Sequence, residues 1–190
     1  MNIVEENIRV RMVREDLEDV PEFGLPAGFS FRWYNSGDEK LWLKIQKAAD
    51  RYNKITPEWF EWEFGSDHEA LRQRQFYLFS PSRKPVGTGT AWFDENFDGA
   101  SIGRVHWVAV VPEYQRRGLG KALMTQICRR LKETGHGKSY LITSTGRLPA
   151  IKLYLCFGFQ PLIRSRDDET AWRELEECLQ FPAPEAKLCI

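Results

Sequence analysis

VAVVPEYQRRGLGKALM occupies residues 108–124 and joins a strand pattern to a helix pattern. It opens on small and β-branched apolar residues, which are typical of a buried strand. It then crosses a polar loop after Pro112 to a helix start marked by Gly118 and Gly120. Behind that start, helical spacing predicts one apolar face made of Leu119, Ala122, Leu123, Ile127 and Leu131. We therefore predict a strand, a short loop and a helix within residues 101–134.

The loop itself predicts an anion site. Glycines allow a ligand to approach the backbone closely, and the free amides of a helix N-terminus point at it. Arg116 and Arg117 add full positive charge, so a phosphate or pyrophosphate is the expected ligand. Neither common nucleotide motif fits. The P-loop needs a hydroxyl residue after its lysine, and the dinucleotide fingerprint needs glycine or alanine at position 123, which is leucine.

The flanking segments predict a mixed α/β fold. Residues 8–14 alternate apolar and basic, like a short strand or an ordered extension, and a Pro- and Gly-rich connector follows them. Later segments predict strands at 29–34, 75–80, 86–94, 101–111, 139–143 and 159–164, and helices after 36, after 56, at 119–134, at 149–157 and at 167–180. Antiparallel strands that lead into strand–helix–strand–helix–strand form a mixed sheet with helices on both faces.

The strand at 101–111 is expected to have two unlike faces. Strict alternation predicts a core face of Val105, Trp107, Ala109 and Val111. The same alternation predicts a cleft wall of Arg104, His106, Val108 and Val110.

Residues 108–124 resemble the GNAT-type acetyl-CoA-dependent N-acetyltransferase superfamily, whose signature is strand–x–P–x–x–[RQ]–x–x–G–x–[GA]–helix. A second family pattern, N-x-x-A-x-x-[LF]-Y-x-x-x-G-F, is met by RLPAIKLYLCFGF at 147–159, with arginine at its first position. The resemblance covers about residues 29–165. It implies an α/β fold with a GNAT-like central, mostly antiparallel mixed sheet and a splayed acetyl-CoA cleft. The expected organisation is an N-terminal extension and connector (1–28), the acetyltransferase domain (29–165), and a C-terminal helix and tail (166–190).

The resemblance also implies roles for individual residues. The pantetheine arm of acetyl-CoA would bind the strand backbone at Val108, Ala109 and Val110. The pyrophosphate would bind the loop formed by Gln115, Arg116, Arg117, Gly118, Leu119, Gly120 and Lys121. Arg147 stands where the family commonly has an asparagine that binds the pantetheine or orients the helix, and arginine instead suits a phosphate of the cofactor. Tyr154 matches the family's tyrosine acid, the alternative being an aromatic on the inner face of a short helix.

The general base is less clearly indicated. Many members carry a glutamate at the position that aligns with Arg104, so that residue type is absent here. His106 lies two residues further on, and an ordinary histidine pKa of about 6.5 suits proton removal at neutral pH. The alternatives are a half-buried histidine satisfied by a neighbour and a proton relay through water.

The acceptor implied by the family is an amine. Helical segments before the hairpin hold Trp42, Tyr52, Trp59, Phe60 and Trp62, together with Glu58, Glu61 and Glu63. An aromatic wall with carboxylates suits a cationic amine. We favour the plainer interpretation that the aromatics pack into the core while the glutamates face water. The sequence does not separate a small amine from an amino acid or a protein N-terminus.

Composition excludes several function classes. The 27 basic and 27 acidic side chains among 190 residues cancel, which argues against a general nucleic-acid or membrane binder. The four cysteines have no metal-ligand spacing, and no metal is expected. The N-terminus lacks the apolar core of a signal peptide and no apolar run approaches 18 residues, so we expect a cytoplasmic protein. The N-terminal strand or the tail is a candidate surface for a homodimer.

Three functions follow as hypotheses. The favoured one is an N-acetyltransferase in which a primary amine attacks acetyl-CoA directly in a ternary complex. The second is a catalytically silent acyl-CoA-binding module that regulates a partner. The third is an RNA- or protein-interaction domain that uses Arg72, Arg74, Arg83 and Lys84, and net neutrality weighs against it.

Overall fold

The computed structural model describes residues 2–179, so the predicted tail lies outside the described residues. The strands, in chain order, are β1 (Arg9–Arg14), β2 (Ser30–Trp33), β3 (Gln75–Phe79), β4 (Pro85–Phe97), β5 (Ala100–Val110), β6 (Ser139–Ser144) and β7 (Gln160–Pro161). The helices are α1 (Ile3–Glu6), α2 (Glu39–Ala49), α3 (Trp59–Phe64), α4 (His68–Arg74), α5 (Leu119–Glu133), α6 (Leu148–Cys156) and α7 (Arg166–Leu179), with one 3-10 turn at Pro112–Tyr114. None of the helices within residues 2–179 combines the length and the apolar character that a bilayer span requires.

One seven-stranded sheet runs in the order β2-β3-β4-β5-β6-β1-β7. Its neighbours pair antiparallel except for β5 and β6, which run parallel and pair only from Gly103↔Ser139 to Val105↔Leu141. Beyond that point β5 keeps its partner β4, and β6 keeps its partner β1. The sheet therefore opens between β5 and β6. The predicted mixed, mostly antiparallel sheet with helices on both faces is confirmed.

The N-terminal strand β1 lies inside the sheet. It pairs antiparallel with β6 from Arg9↔Ser144 to Arg14↔Ser139, and its other edge pairs with β7. The strand predicted at 159–164 is shortened to Gln160–Pro161. A proline has no N–H to donate to a ladder, which limits strand length there.

Two apolar cores lie on opposite faces of the sheet. The larger one packs α5, α6 and α7 against the sheet and includes Leu123, Ile151 and Leu175. The second packs α2 and α3 against β3, with Trp42, Phe60 and Tyr77 at its centre. The predicted apolar face of α5 is confirmed, because Leu119, Ala122, Leu123, Ile127 and Leu131 are all buried.

The strict alternation predicted for residues 101–111 is wrong. Thr90 pairs with His106 and Thr88 with Ala109, so Trp107 and Val108 together stand opposite Gly89. This is a β-bulge, with Trp107 at φ 49°, and it inserts one extra residue into β5. Its effect is that His106 and Trp107 both lie on the face of the second core, whereas Val105, Val108 and Val110 all lie on the face of the first. From Trp107 onward, each residue of β5 therefore lies on the face of the sheet opposite to the one that strict alternation predicts.

Candidate active site

The start of α5 presents a run of unpartnered backbone amides. Within residues 2–179 the N–H groups of Arg116, Arg117, Gly118, Leu119 and Gly120 donate to no acceptor, and the first helical bond runs from Ala122 N to the Gly118 carbonyl at 3.1 Å. Arg116 (φ 58°) and Gly118 (φ 76°) both adopt the left-handed conformation. Successive amides in such a turn, at the positive end of a 15-residue helix, form an anion-binding concavity.

Two side chains of the loop donate hydrogen bonds to nearby backbone carbonyls. Gln115 donates from side-chain Nε2 to the Val110 carbonyl at 2.8 Å, and its backbone N–H donates to the Pro112 carbonyl. The Arg117 side chain folds back to the Glu113 carbonyl and lies 5.1 Å from the Tyr114 ring centroid. Gln115 and Arg117 therefore hold the loop in shape, which leaves the exposed Arg116 side chain and the free amides to face a ligand.

The two remaining predicted loop residues are more enclosed than the arginines. Leu119 is buried, so only its amide reaches the loop surface. The half-buried Lys121 places its ammonium 4.7 Å from the ring centroid of Phe23.

The strand segment predicted to bind the pantetheine arm lies along the opening of the sheet. Val108, Ala109 and Val110 follow the bulge on β5, where the pairing with β6 has already ended. The bulge itself is fixed from α2, because the buried Gln46 donates from Nε2 to the Trp107 carbonyl at 3.0 Å. The edge of β5 that faces β6 is therefore unpaired at these three residues, and the hydrogen bond from Gln46 fixes the backbone at the bulge just before them.

Tyr154 lies on α6 with its side chain turned into the larger core. It is 8% exposed, its hydroxyl makes no hydrogen bond within the described residues, and the oxygen is not fully sealed from solvent. Burial raises the pKa of Tyr154 to about 12, against an opposing effect of the Arg147 charge. The phenol is therefore protonated at neutral pH.

Arg147 is engaged with protein groups. Its guanidinium pairs with Oδ2 of Asp50 at 2.7 Å and donates to Ser144 Oγ at 2.6 Å, and it lies 4.8 Å from the Tyr52 ring centroid. The Asp50 side chain is only 7% exposed, so this pair is largely desolvated. A contact of Arg147 with a cofactor phosphate remains a prediction, and in this structure the arginine ties the end of α2 to the start of α6.

His106 faces α3, where it meets Glu63. Its Nε2 lies 3.0 Å from Oε2 of Glu63, although the N–H is not directed well enough at that oxygen to make a good hydrogen bond. Burial lowers the pKa of His106 to about 4, more strongly than the nearby carboxylate raises it. At neutral pH the pair is therefore a neutral imidazole beside an anion.

Glu63 is one of the three glutamates that the sequence places in the aromatic segment, and it is the one that meets His106. Burial alone would raise its pKa, but His106, Trp107 and Arg104 together lower it to about 2. The signal was present, since Glu63 follows Phe60 by three residues and so shares the buried side of α3. The favoured interpretation of this segment is confirmed for Trp42 and Phe60, which are core residues. It is wrong for Trp62, which is 75% exposed, and for Glu63, which faces His106.

Comparison with known proteins identifies the family of this fold. The model of the Acetyltransferase (GNAT) family matches residues 32–159, which is more than half of the chain. The chain belongs to the GNAT acetyltransferase family. This confirms the resemblance drawn from residues 108–124 and 147–159.

Relatives of this GNAT chain include two mycothiol acetyltransferases. That of Pseudarthrobacter chlorophenolicus is 30% identical over 82% of the chain and 50% of its own length. That of Thermomonospora curvata is 31% identical over 80% of the chain and 52% of its own length. The chain therefore spans about half the length of the curated relatives it matches.

Solved structures agree with the GNAT fold. A GCN5-related N-acetyltransferase from Sphaerobacter thermophilus superposes with a TM-score of 0.68 at 19% identity, covering 81% of the chain and 48% of that protein. The ribosomal-protein-S18-alanine N-acetyltransferase of Escherichia coli gives a TM-score of 0.58 at 20% identity, over 71% of the chain and 79% of that protein. At these identities the likeness establishes the fold alone.

Unpaired donors concentrate beside the opening of this GNAT sheet. Buried side-chain nitrogens without a hydrogen bond in the described part of the chain include Arg104 Nε on β5 and Trp42 Nε1, whose ring packs on Trp107 at 5.1 Å. His106 Nε2 and Trp107 Nε1 lack a well-directed bond too, although both act on the Glu63 carboxylate. Buried polar groups are paired in the great majority of cases, so such a cluster is expected where a ligand binds. Over the same residues, 2–179, no three His, Cys, Asp or Glu side chains lie together in a way that suits a metal ion.

Proposed function

We propose that this protein is an N-acetyltransferase that moves an acetyl group from acetyl-CoA to a primary amine in a ternary complex. The observation that carries the proposal is the exposed run of free amides at the start of α5, beside the point where the sheet opens, in a chain of the GNAT family. A pyrophosphate matches the amides in charge and in hydrogen-bonding capacity.

Residues around the cleft suit the binding of acetyl-CoA. The amides of Arg116, Arg117, Gly118, Leu119 and Gly120 would hold the pyrophosphate, with positive charge from the exposed Arg116 side chain. The open edge of β5 at Val108, Ala109 and Val110 offers backbone groups to an extended amide-containing arm. This is how a strand edge ordinarily binds an extended ligand.

Acetyl transfer then needs two proton movements. As the C–N bond forms and the C–S bond breaks, the attacking nitrogen must lose a proton and the departing sulfur must gain one. Tyr154 is protonated and makes no protein hydrogen bond, so it suits the role of acid toward the thiolate. His106 is neutral at pH 7 and can therefore accept a proton, directly or through a water molecule, although its pKa of about 4 makes it a weaker base than the ordinary histidine that the sequence led us to expect.

Glu63 contributes negative charge on the acceptor side. Its side chain is 30% exposed whereas that of His106 is 6% exposed, so an incoming ammonium group would meet the carboxylate first. The carboxylate also stabilises the imidazolium that forms when His106 takes a proton. The two residues would therefore bind the acceptor amine and then deprotonate it.

A calorimetric titration with acetyl-CoA, with ATP and NAD as controls, tests the cofactor. Selective one-to-one binding of acetyl-CoA is expected, followed by amine-dependent release of free thiol. Failure to bind acetyl-CoA would overturn the proposal. Tight binding without thiol release from any amine would instead support the silent acyl-CoA-binding module.

A further inference from the structure

The face of β6 and β1 on the Glu63 side of the sheet is lined by arginines. On β1, Val10 and Met12 point into the larger core, so Arg9 and Arg11 point to the opposite face. Tyr140 and Ile142 of β6 share that face, because Leu141 between them lies in the larger core. Helices α2, α3 and α4 pack on this side of the sheet over β2 to β5.

Strand register relates these arginines to His106. Arg104 of β5 is level with Tyr140 of β6, and two residues further His106 is level with Ile142, which pairs with Arg11 of β1. Neighbouring strands are about 4.8 Å apart, so the backbones of His106 and Arg11 are at least about 10 Å apart across the opening. Arg104 is nearer, about 7 Å from His106 along the same strand.

Within the described residues Arg9, Arg11 and Arg104 form no ion pair with a carboxylate, whereas Arg147 and Arg164 pair with Asp50 and Asp98. Weaker electrostatic contacts join Arg104 to Glu63 and Arg11 to Asp168. The Nε of Arg104 is buried without a hydrogen bond. An unpaired guanidinium that has lost part of its hydration is a strong site for a planar anion.

Arg104 and Arg11 converge on Tyr140. The Arg104 guanidinium lies 5.7 Å from the Tyr140 ring centroid, and the Tyr140 hydroxyl donates to Asp94 at 2.9 Å. Burial raises the pKa of Tyr140 to about 12, while both arginine charges act to lower it, as expected if each lies near the hydroxyl.

A cavity of about 260 Å³ lies at this position. Its walls include Arg11, Tyr140 and Ile142 from β1 and β6, and Asp94 and Phe97 from the tip of the β4–β5 hairpin. The four charged side chains that line the cavity cancel, since Arg11 and Arg164 balance Asp94 and Asp98, and Arg104 beside the Tyr140 ring adds a positive charge at the rim. The cavity and its rim therefore favour an anionic ligand group.

We propose that Arg104 and Arg11 bind an anionic group of the acceptor, so that the acceptor is an amine that also carries a carboxylate or a phosphate. The proposal rests on the proposed function, which places the amine at His106 and Glu63. An anion bound at Arg104 would lie within a few bonds of the amine, whereas one bound at Arg11 would require a longer spacer.

A series of ω-amino acids with two to eight carbons, compared with the matching ω-amino amides, tests both the charge and the spacer length. Ethanolamine phosphate compared with ethanolamine tests phosphate as the anion. We expect the anionic member of at least one matched pair to have a kcat/KM at least tenfold higher than its neutral counterpart. The Arg104→Gln and Arg11→Gln variants should reduce that preference at least fivefold, and Arg129→Gln, whose side chain on α5 pairs with Glu22, is the matched control.

Each outcome of this experiment decides a separate point. Equal rates with anionic and neutral amines, or a preference that both arginine variants retain, would overturn the anion site and leave acetyl transfer standing. Absence of thiol release with every amine, despite binding of acetyl-CoA, would overturn the proposed function instead. Arg104→Lys and Arg11→Lys, which keep the charge and should keep part of the preference, serve where a glutamine variant does not fold.

Discussion

Nε2 of His106 on β5 lies 3.0 Å from Oε2 of Glu63 on α3, and the two side chains differ fivefold in exposure, 6% against 30%. The imidazole is thus enclosed between the sheet and the ring of Phe64, and the more exposed carboxylate lies between it and solvent. A neutral base shielded by an anion suits the deprotonation of a cation, because the anion attracts the cation and then stabilises the proton on the base.

Replacing Glu63 should impair the chemistry more than the fold. In Glu63→Gln we expect kcat/KM for the amine to fall about 100-fold, a typical contribution of acid–base machinery. The acid limb of the pH–rate profile should also move to lower pH, because the carboxylate no longer favours protonation of His106. Steady-state kinetics from about pH 3 to 9 measure both effects, because an acid limb set by a pKa of about 4 lies below pH 5.

The control for this experiment is Glu61→Gln, an exposed glutamate on the same short helix. It should leave both the rate and the pH profile unchanged. A Glu63→Gln enzyme with wild-type kinetics would show that the contact with His106 is structural only.

The pKa of His106 predicts a specific pH dependence of stability. The folded value is about 4 and the ordinary value is 6.5, so between these values the unfolded chain binds a proton that the folded chain does not. Stability should therefore fall as the pH drops from 6.5 to 4, by about 3 kcal/mol in all. Glu63, lowered to about 2 from 4.5, contributes stability above pH 4.5 that is lost as the pH falls toward 2.

Urea denaturation at a series of pH values measures these changes. The His106→Gln variant should flatten the curve between pH 6.5 and 4.5. It should also weaken the loss of stability below pH 4.5, because His106 is the main group that lowers the pKa of Glu63. An unchanged slope in the upper window would contradict the assigned pKa of His106.

Removing the Tyr154 hydroxyl tests the acid. Tyr154→Phe retains the aromatic ring that packs 6.4 Å from Phe159, so the core should survive. We expect kcat to fall about 100-fold, because the thiolate no longer receives a positioned proton, while the affinity for acetyl-CoA changes less than threefold. Tyr34→Phe, which removes a hydroxyl bonded to Glu39 and His68 elsewhere in the protein, is the control for a generic loss of a buried phenol.

A side chain at Gly120 should block the anion site of α5. A Cβ there would lie 3.2 Å from Leu153 Cδ2, and a valine would project further over the free amides. In Gly120→Val we expect acetyl-CoA binding to fall at least tenfold in calorimetry, with the fold retained in circular dichroism. Gly137→Val is the matched control, because a Cβ at Gly137 meets no atom within 4 Å.

The ion pair of Arg147 and Asp50 is amenable to a double-mutant cycle. If Arg147 acts by joining α2 to α6, Arg147→Met and Asp50→Asn should each lower stability by about 1–3 kcal/mol. The double variant should then lose less than the sum of the two single variants. The affinity of Arg147→Met for acetyl-CoA decides whether the arginine also contacts the cofactor, and a tenfold loss would show that it does.

Local patterns in the sequence were sufficient to predict the elements of the larger core. The apolar spacing of α5 and the glycines before it fix both the helix and the loop, because these effects act within a few residues. The β-bulge at Trp107 was not predictable in this way, since it depends on contacts from two other elements. Gln46 of α2 holds the Trp107 carbonyl, and a Cβ at the facing Gly89 would lie 2.9 Å from Ile127 of α5.

Pairings between distant residues account for the rest of what the sequence did not predict. Helical spacing places Glu63 on the buried side of α3, but only the packing of α3 on β5 brings it to His106. Likewise, nothing in the sequence around Arg147 indicates whether this residue binds a phosphate or pairs with Asp50, which lies 97 positions earlier in the chain. Ionisable residues such as His106 and Arg147 could be recognised from the sequence, whereas the partners of each depend on the tertiary fold.

The position of β1 bears on how this chain folds. Arg9 pairs with Ser144, 135 positions later, so the half of the sheet that borders the cleft assembles only when the two distant parts of the chain meet. Such long-range pairing slows folding, because the chain loses the entropy of loop closure before the contacts between the strands stabilise it. A chain trimmed to the residues that match the family, 32–159, would lack β1 and leave the edge of β6 bare, which invites aggregation. The smallest cooperative folding unit of this protein is therefore larger than the segment by which its family is recognised.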